Sequence, residues 1–418
     1  WRRARRVIPG ASQTFSKSSS QHIRGISPLF LARGKGCRVW DVDGNEYIDY
    51  IQGLLPNILG YAHPSVNRTY VRQLKLGHSF SLPHPLEVQL AEKLCEIIPC
   101  AEMVRFSKNG SDATSGAIRL ARAVTGRDRV ACCGYHGWQD WFIGSTSRHL
   151  GVPKAVRELT HSFPYNRPDA LEKLLRAHPG KFAAVILEPV NFEMPRAGFL
   201  SEVRKITHRH GAILIFDEIC SGFHLGLGGA QKMYGVTPDL ACFGKAMGNG
   251  FPISCVVGRR KIMKKMEDIF FSFTFAGEVA SMAASLETIA ILGSAKGIPA
   301  LQRAGQRLQA GIRRLANLHG LSERIHVAGH PGWFVLRFKD SEGNPDHLLR
   351  SVFQQEMVKR GVLLLTTHNM TTAHDDKAVT KTLQAYEGTF QHLKEWIEKK
   401  ELRKRLQGPE IRPIMTIR

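Results

Sequence analysis

The sequence predicts an α/β fold with a large, doubly wound and mostly parallel sheet domain and a smaller α+β domain. Three observations predict it. The 418 residues exceed one ordinary domain. Short apolar segments alternate with helical periodicity in the middle of the chain, and several are apolar throughout, as strands covered on both faces are. We expect an N-terminal segment over 1–60 that packs with the small domain, a large domain over 61–290 and a small domain over 291–418.

The elements follow in chain order. Residues 36–50 predict a hairpin, because alternating apolar stretches flank the turn signal Asp43-Gly44-Asn45. Apolar periodicity predicts helices over 87–97 and 115–125. The predicted strands of the large sheet are Val104–Phe106, Arg129–Gly134, Ala183–Leu187, Ala212–Phe216, Leu240–Phe243 and Ile253–Val257. Those of the small domain are Gly332–Phe338 and Val362–Leu365.

The charge and hydropathy of the chain exclude several classes of protein. The formal net charge of +22 would attract anionic metabolites and, without specificity, nucleic acid. The basic residues are scattered, however, and acids interrupt the densest run at Glu398–Arg405, which favours a solvated helix face. No apolar run approaches the roughly 20 residues of a membrane span. Trp1–Arg6 leads into no apolar region, so it does not predict a secretory signal.

The cysteines indicate a reducing compartment. There are eight of them, and none form a Cys-x-x-Cys pair. Several lie in apolar runs such as Arg129–Gly134, where a cysteine behaves as a small buried hydrophobe. We therefore expect a cytoplasmic protein with neither a disulfide framework nor a metal site.

Polar residues follow the predicted strands at the points where the strands end. They are Asn109-Gly110-Ser111, Tyr135-His136, Glu188, Asp217 and Lys245. In open α/β sheets the ligand crevice lies outside the carboxyl ends of the strands. Separate segments of the sequence are therefore expected to direct reactive groups towards one place.

Two of these residues suggest the chemistry. Asp217 ends an apolar strand, where a buried carboxylate is costly without a cationic partner such as a protonated pyridine nitrogen; taken alone, it is more often a helix cap. Lys245 lies in a glycine-rich turn. A partly desolvated lysine has a lowered pKa and can form a Schiff base with an aldehyde, although a lysine that reaches solvent is an equal alternative.

The other segments suggest phosphate and ring contacts. Gly110 and Ser111 precede a predicted helix, so their N–H groups and the positive helix end can bind a phosphate, although an ordinary serine cap is commoner. Tyr135 offers a ring that can stack on an aromatic cofactor. His136 has no second histidine or cysteine at ligand spacing, which argues against a metal.

The ordered motifs resemble class III pyridoxal-phosphate aminotransferases of fold type I, and among them most closely the glutamate-1-semialdehyde aminomutases. The likeness covers nearly the whole chain. Its motifs include Pro28-Leu29-Phe30, Val39-Trp40-Asp41, Leu59-Gly60-Tyr61-Ala62-His63-Pro64, Tyr135-His136-Gly137, Leu187-Glu188-Pro189, Phe216-Asp217-Glu218-Ile219, Thr237-Pro238-Asp239-Leu240 and Gly244-Lys245.

The resemblance implies a role for each site residue. Lys245 would carry pyridoxal 5'-phosphate as a Schiff base and move the proton, and Asp217 would pair with the pyridinium. The other expected cofactor contacts are Gly110 and Ser111 at the phosphate, Ile219 and Tyr135 on the two ring faces, His136 and Glu188 nearby, and Thr274 at the phosphate of a neighbouring subunit. The expected partners are therefore an identical subunit in a homodimer, a small-molecule amino donor and a carbonyl acceptor.

The departures from the aminomutase pattern concern the substrate. Lys17 stands where those enzymes have an arginine that would bind the substrate carboxylate, and lysine cannot form the same bidentate clamp. After the phosphate threonine those enzymes have Ser-Gly-Asn-Pro, whereas this chain has Phe275-Ala276-Gly277-Glu278. We therefore expect Lys17 and Glu278 near the substrate and favour a transaminase over the alternative, an intramolecular aminomutase. A nucleic-acid-binding protein on a degenerate scaffold is disfavoured, because Asp217, Lys245 and Thr274 are all present.

Overall fold

The computed structural model describes residues 1–415. The chain divides into two compact units. One consists of Trp1–His63 together with Ala295–Ile414, and the other contains Pro64–Ser294. Among the described residues, no helix is both long enough and apolar enough to span a bilayer.

The strands are listed here in chain order. They are β1 (Leu31–Lys35), β2 (Arg38–Asp41), β3 (Glu46–Asp49), β4 (Met103–Ser107), β5 (Arg129–Cys133), β6 (Thr160–Ser162), β7 (Phe182–Leu187), β8 (Ile213–Asp217), β9 (Leu240–Phe243), β10 (Ser254–Gly258), β11 (Ile325–His330), β12 (Trp333–Phe338), β13 (Val362–Leu363) and β14 (Thr367–Asn369).

The helices include several short ones. The α-helices are α1 (Arg2–Val7), α2 (Pro64–Leu74), α3 (Pro85–Ile97), α4 (Gly110–Thr125), α5 (Asp140–Ile143), α6 (Lys154–Arg157), α7 (Pro168–Arg176), α8 (Phe199–Arg209), α9 (Gly229–Tyr234), α10 (Arg260–Met263), α11 (Val279–Leu292), α12 (Ile298–Leu318), α13 (His347–Lys359), α14 (Asp376–Glu398) and α15 (Leu402–Arg405). The 3₁₀ turns are Pro9–Ala11, Phe15–Lys17, Ser19–Gln21, Lys245–Gly248 and Lys264–Glu267.

The unit that contains Pro64–Ser294 is built on a seven-stranded sheet. Its strand order is β4-β10-β9-β8-β7-β5-β6. Only β10 is antiparallel to its neighbours, and the remaining pairs are parallel. This arrangement confirms the predicted α/β class with a large, mostly parallel sheet. The carboxyl ends of β4, β5, β7, β8 and β9 consequently lie at one edge.

The core of this sheet explains its apolar strands. All six residues of β7 are buried. Helix α4 packs Ala117, Leu120 and Ala121 into the same cluster as strand residues on β5, β7, β8 and β9. Cys132 and Cys242 belong to that cluster and are fully buried. When both faces of a strand are covered, no side chain of the strand faces water. Its sequence is therefore continuously apolar instead of alternating between apolar and polar residues.

The other unit contains two small sheets. One has the order β1-β2-β3-β13 and the other the order β11-β12-β14. The predicted hairpin is present, because β2 and β3 pair antiparallel around the turn at residues 42–45. Strand β1 was not predicted, since its residues are mostly exposed and carry no alternating apolar pattern.

One helix start and one strand differ from the predictions for physical reasons. Helix α4 begins at Gly110 instead of residue 115, because Asp112 reaches back to accept a hydrogen bond from the Asn109 N–H at 2.8 Å. Strand β6 was not predicted; it is only three residues long and carries polar side chains at the edge of its sheet. Polar caps and short edge strands leave little periodicity in a sequence.

Candidate active site

The expected site residues of the larger unit follow parallel strands at the same edge of its sheet. Asp217 is the last residue of β8, and Lys245 follows β9 after one glycine. Glu188 follows β7 directly, and Tyr135 and His136 follow β5. The structure therefore brings these side chains together, as the positions of the strand ends predict.

Asp217 is held by two hydrogen bonds. Its Oδ2 lies 2.8 Å from Nδ1 of His136, and its Oδ1 accepts a hydrogen bond from the Ile219 N–H at 3.1 Å. The His136 ring is buried against Trp141 and Phe142. Its Nε2 is buried and has no hydrogen-bond partner among residues 1–415. His136 therefore orients the carboxyl group, and a buried carboxylate in this position favours a cationic ligand atom.

Lys245 begins a 3₁₀ turn and has a φ of 40°, an uncommon value for a residue other than glycine. Its Nζ donates a hydrogen bond to Sγ of Cys220 at 2.7 Å. Burial raises the pKa of the Cys220 thiol to about 11, so at neutral pH the amine faces an uncharged sulfur. The backbone conformation and the thiol together fix the resting position of the amine.

The pKa of Lys245 corrects one sequence expectation. Burial lowers this pKa, as the sequence argument assumed, but Cys220, Glu188 and Asp217 outweigh burial and leave the pKa raised. The expectation of a lowered pKa was therefore wrong for the chain without a cofactor. The hydrogen bond to Cys220 and the nearby carboxyl groups of Glu188 and Asp217 stabilise the protonated amine.

Glu188 interacts electrostatically with Asp217, His136 and Lys245. Its Oε2 accepts a hydrogen bond from the Tyr135 N–H at 3.0 Å. Burial, with a further contribution from Asp217, raises its pKa to about 7, although His136 and Lys245 act in the opposite direction. A carboxyl group with such a pKa can take up or release a proton near neutral pH.

The phosphate-binding expectation falls on the first turn of α4. Asp112 and Ala113 make the first helical hydrogen bonds, both to the Asn109 carbonyl oxygen, so the N–H groups of Gly110 and Ser111 precede them. A Cβ at Gly110 would lie 2.7 Å from Cδ1 of Ile219. The missing side chain of Gly110 therefore leaves room for Ile219, and the N–H groups at the helix terminus are of the kind that bind anions.

The expected ring contacts lie next to this turn. The side chain of Tyr135 is 46% exposed, so one face of its ring remains available, and the ring packs edge-on against Phe142. Ile219 is partly buried and contacts the same core as α4.

The remaining expected residues are placed differently. Thr274 is exposed in the turn that precedes α11. Glu278 is buried and fully engaged, because its carboxylate caps α11 and pairs with Lys108. Lys17 is exposed in the unit that contains Trp1–His63. The substrate role expected of Glu278 therefore gains no support from its contacts.

Three residues of the site were missed in the sequence. Cys220 contacts the lysine amine, and Lys108 pairs with Glu278. Gly137 has a φ of 112°, and its missing side chain leaves room for Ser111. Gly137 carried a usable signal, because it follows Tyr135-His136 in a motif already singled out. Cys220 and Lys108 carried none, since their roles depend on contacts between distant segments.

We predict that Gly137→Ala weakens binding of pyridoxal phosphate by about tenfold or more. The new Cβ would collide with Oγ of Ser111, and the backbone angle is strained for alanine. Titration of the cofactor-free protein, followed by absorbance, measures the effect. Gly126→Ala is the matched control. Gly126 also has a positive φ and ends α4, the helix that contains Ser111, but a Cβ there would meet open space. Equal affinities in the two variants would contradict the prediction.

Comparison with known proteins supplies the family. The chain matches the model for class-III aminotransferases over residues 19–389. It is 34% identical to 3-aminobutyryl-CoA aminotransferase of Cloacimonas acidaminovorans, over 94% of this chain and 96% of that protein. It is 37% identical to glutamate-1-semialdehyde 2,1-aminomutase of Roseiflexus castenholzii, over 91% of this chain and 94% of that protein.

Solved structures agree with these sequence relatives. The pyridoxal-phosphate form of the FumI protein of Sphingopyxis sp. MTA144 superposes with a TM-score of 0.88 at 32% identity, over 95% of this chain and 96% of that chain. An omega-transaminase from Sphaerobacter thermophilus gives 0.86 at 28% identity, over 94% and 96%. The predicted fold type, family and cofactor are confirmed. The chain belongs to the class-III aminotransferases, which are pyridoxal-phosphate-dependent enzymes.

Proposed function

We propose that this enzyme is a transaminase, which moves an amino group from a small-molecule donor to a carbonyl acceptor and carries its cofactor covalently on Lys245. One observation carries the proposal. The Asp217 carboxylate and the Lys245 amine follow neighbouring parallel strands, and Glu188 adjoins both electrostatically. In a pyridine aldehyde, the Asp217 carboxylate suits the ring nitrogen and the Lys245 amine suits the aldehyde group. Bound pyridoxal phosphate withdraws electrons from the substrate and so makes the hydrogen beside its nitrogen acidic.

The residues around the ring have separate tasks. Asp217 holds the proton on the pyridine nitrogen, and His136 fixes the direction of its carboxylate. Gly110 and Ser111 bind the phosphate with backbone N–H groups, and Thr274 reaches the phosphate of the partner subunit. Tyr135 and Ile219 flank the ring and exclude water from its faces.

Proton transfer centres on Lys245. A protonated amine cannot attack a carbonyl, so Nζ must release a proton before it can carry the cofactor. Glu188 has a pKa near 7 and is the neighbouring group suited to accept this proton. Nζ of Lys245 would also be the group that takes the acidic proton from one carbon of the bound substrate and returns it to another.

We propose a homodimer with shared sites. Exposed apolar side chains on the unit that contains Pro64–Ser294 support it. They include Leu76, Phe80, Leu82, Phe270 and Phe275. Phe275 adjoins Thr274, the residue that the family pattern assigns to the partner's phosphate. A solution mass near 46.7 kDa, that of a single chain, would contradict the proposal.

We propose a substrate that carries an anionic group. Lys17 is the candidate contact for an anionic group of the substrate, whereas Glu278 is occupied by Lys108 and α11. An intramolecular aminomutase is the second candidate, because several relatives at 35–37% identity bear that name. Substrates with an amino group at carbon 3 are worth including, since another relative is named for 3-aminobutyryl-CoA.

We also propose a cytoplasmic location. All eight cysteines are free, which suits a reducing compartment. A disulfide found in the protein isolated from its native cells would argue against this location.

We predict that Lys245→Ala abolishes borohydride fixation of the cofactor and lowers turnover by several orders of magnitude, because no amine remains to bind and to transfer protons. Mass spectrometry after reduction should find the added mass on the peptide that contains Lys245 in the wild type only. Lys232→Ala is the control, since this lysine is exposed on α9. Fixation elsewhere, or wild-type turnover in Lys245→Ala, would refute the assignment.

We predict that an amino donor alone converts the holoenzyme to the amino form of the cofactor, and that a separate carbonyl acceptor restores the original absorbance. The screen should contain glutamate, alanine, 3-amino acids and their thioesters. Such half-reactions identify a transaminase. Complete turnover of a single semialdehyde substrate, with no second partner consumed, would favour the aminomutase.

A further inference from the structure

Lys108 and Glu278 form an ion pair that the catalytic steps leave unused. Nζ of Lys108 lies 2.8 Å from Oε2 of Glu278, and the two side chains are only 13% and 11% exposed. Both residues belong to the unit that contains Pro64–Ser294. Surface ion pairs contribute little, but breaking a largely buried pair leaves an uncompensated charge and is costly.

The pair joins two segments that serve the cofactor phosphate. Lys108 directly precedes Asn109-Gly110-Ser111, which we call the phosphate loop. Glu278 ends the turn over residues 273–277, which we call the Thr274 turn, and its N–H donates to the Phe275 carbonyl oxygen. Oγ of Ser254 also donates to the Asn109 carbonyl oxygen at 2.7 Å. The phosphate loop and the residue before it are therefore held by two separate side-chain contacts.

Glu278 has no capacity left for a substrate. Its Oε1 accepts from the Ala280 N–H at 2.8 Å, and both oxygens lie 3.3 Å from the Ser281 N–H. Burial raises the pKa of Glu278, but Lys108 and Ser281 outweigh burial and lower it, so the carboxylate stays ionised at neutral pH. Lys108 likewise directs its charge to Glu278.

We propose that Lys108 and Glu278 are a positioning pair that holds the phosphate loop and the Thr274 turn in one arrangement and thereby slows release of the cofactor. This inference rests on the proposed function. The phosphate loop binds the phosphate of its own subunit, and the Thr274 turn serves the partner's. One intrachain contact therefore influences both sites of the dimer.

The test is a double-mutant cycle on the holoenzyme, with cofactor release after dilution and thermal unfolding as readouts. We expect Lys108→Met and Glu278→Gln each to speed release about tenfold. The double variant should release no faster than the single variants, because the second change breaks a pair already broken. Lys108→Arg keeps the charge and should stay close to the wild type. The control is Lys93→Met with Glu96→Gln, an exposed pair on α3 that should change neither readout.

Three results would overturn the proposal. Lower thermal stability with unchanged release would mean that the pair only supports the fold. Multiplicative effects in the double variant, about a hundredfold, would mean that Lys108 and Glu278 act independently, for example with Lys108 at the phosphate itself. Slower release in Glu278→Gln would mean that the pair keeps Lys108 away from the phosphate. A wild type that binds no pyridoxal phosphate would instead refute the proposed function.

Discussion

The parallel pairing of β8 with β9 is the constraint on which the site depends. In this pairing Asp217 lies opposite Cys242, and Lys245 leaves the sheet three positions after that cysteine. Asp217 and Lys245 consequently lie at the same edge of the sheet, at the ends of adjacent strands. The register of these two buried strands therefore sets the spacing between the two groups.

Electrostatic interactions between the groups at this edge change their pKa values. Two carboxyl groups, a histidine and a lysine lie in a largely buried space where charges interact strongly. Glu188 responds with a pKa near 7 and Lys245 with a raised pKa. The negative groups that favour a cationic ring nitrogen thus also favour the ammonium form of the lysine. Glu188 in its carboxylate form can accept the proton of that lysine, and its raised pKa makes this transfer easier.

The sequence predicted the elements whose signals are local. Continuous apolar runs identified the buried strands, and strand ends located Asp217, Glu188 and Lys245, because position along the chain determines which edge of a parallel sheet a residue reaches. The start of α4 was misplaced, since its cap depends on one side chain that reaches back. The contacts of Glu278 could not be predicted for a different reason. Its partner Lys108 is 170 positions away, and no local pattern reports such a contact.

The ring site is shaped as much by missing atoms as by side chains. One methyl group at Gly110 would press on Ile219, one at Gly134 on Glu188, and one at Gly137 on Ser111. These glycines form a floor that tolerates almost no added volume. A change of amine substrate in this enzyme would therefore have to come from other positions of the site, because these three accept no larger side chain.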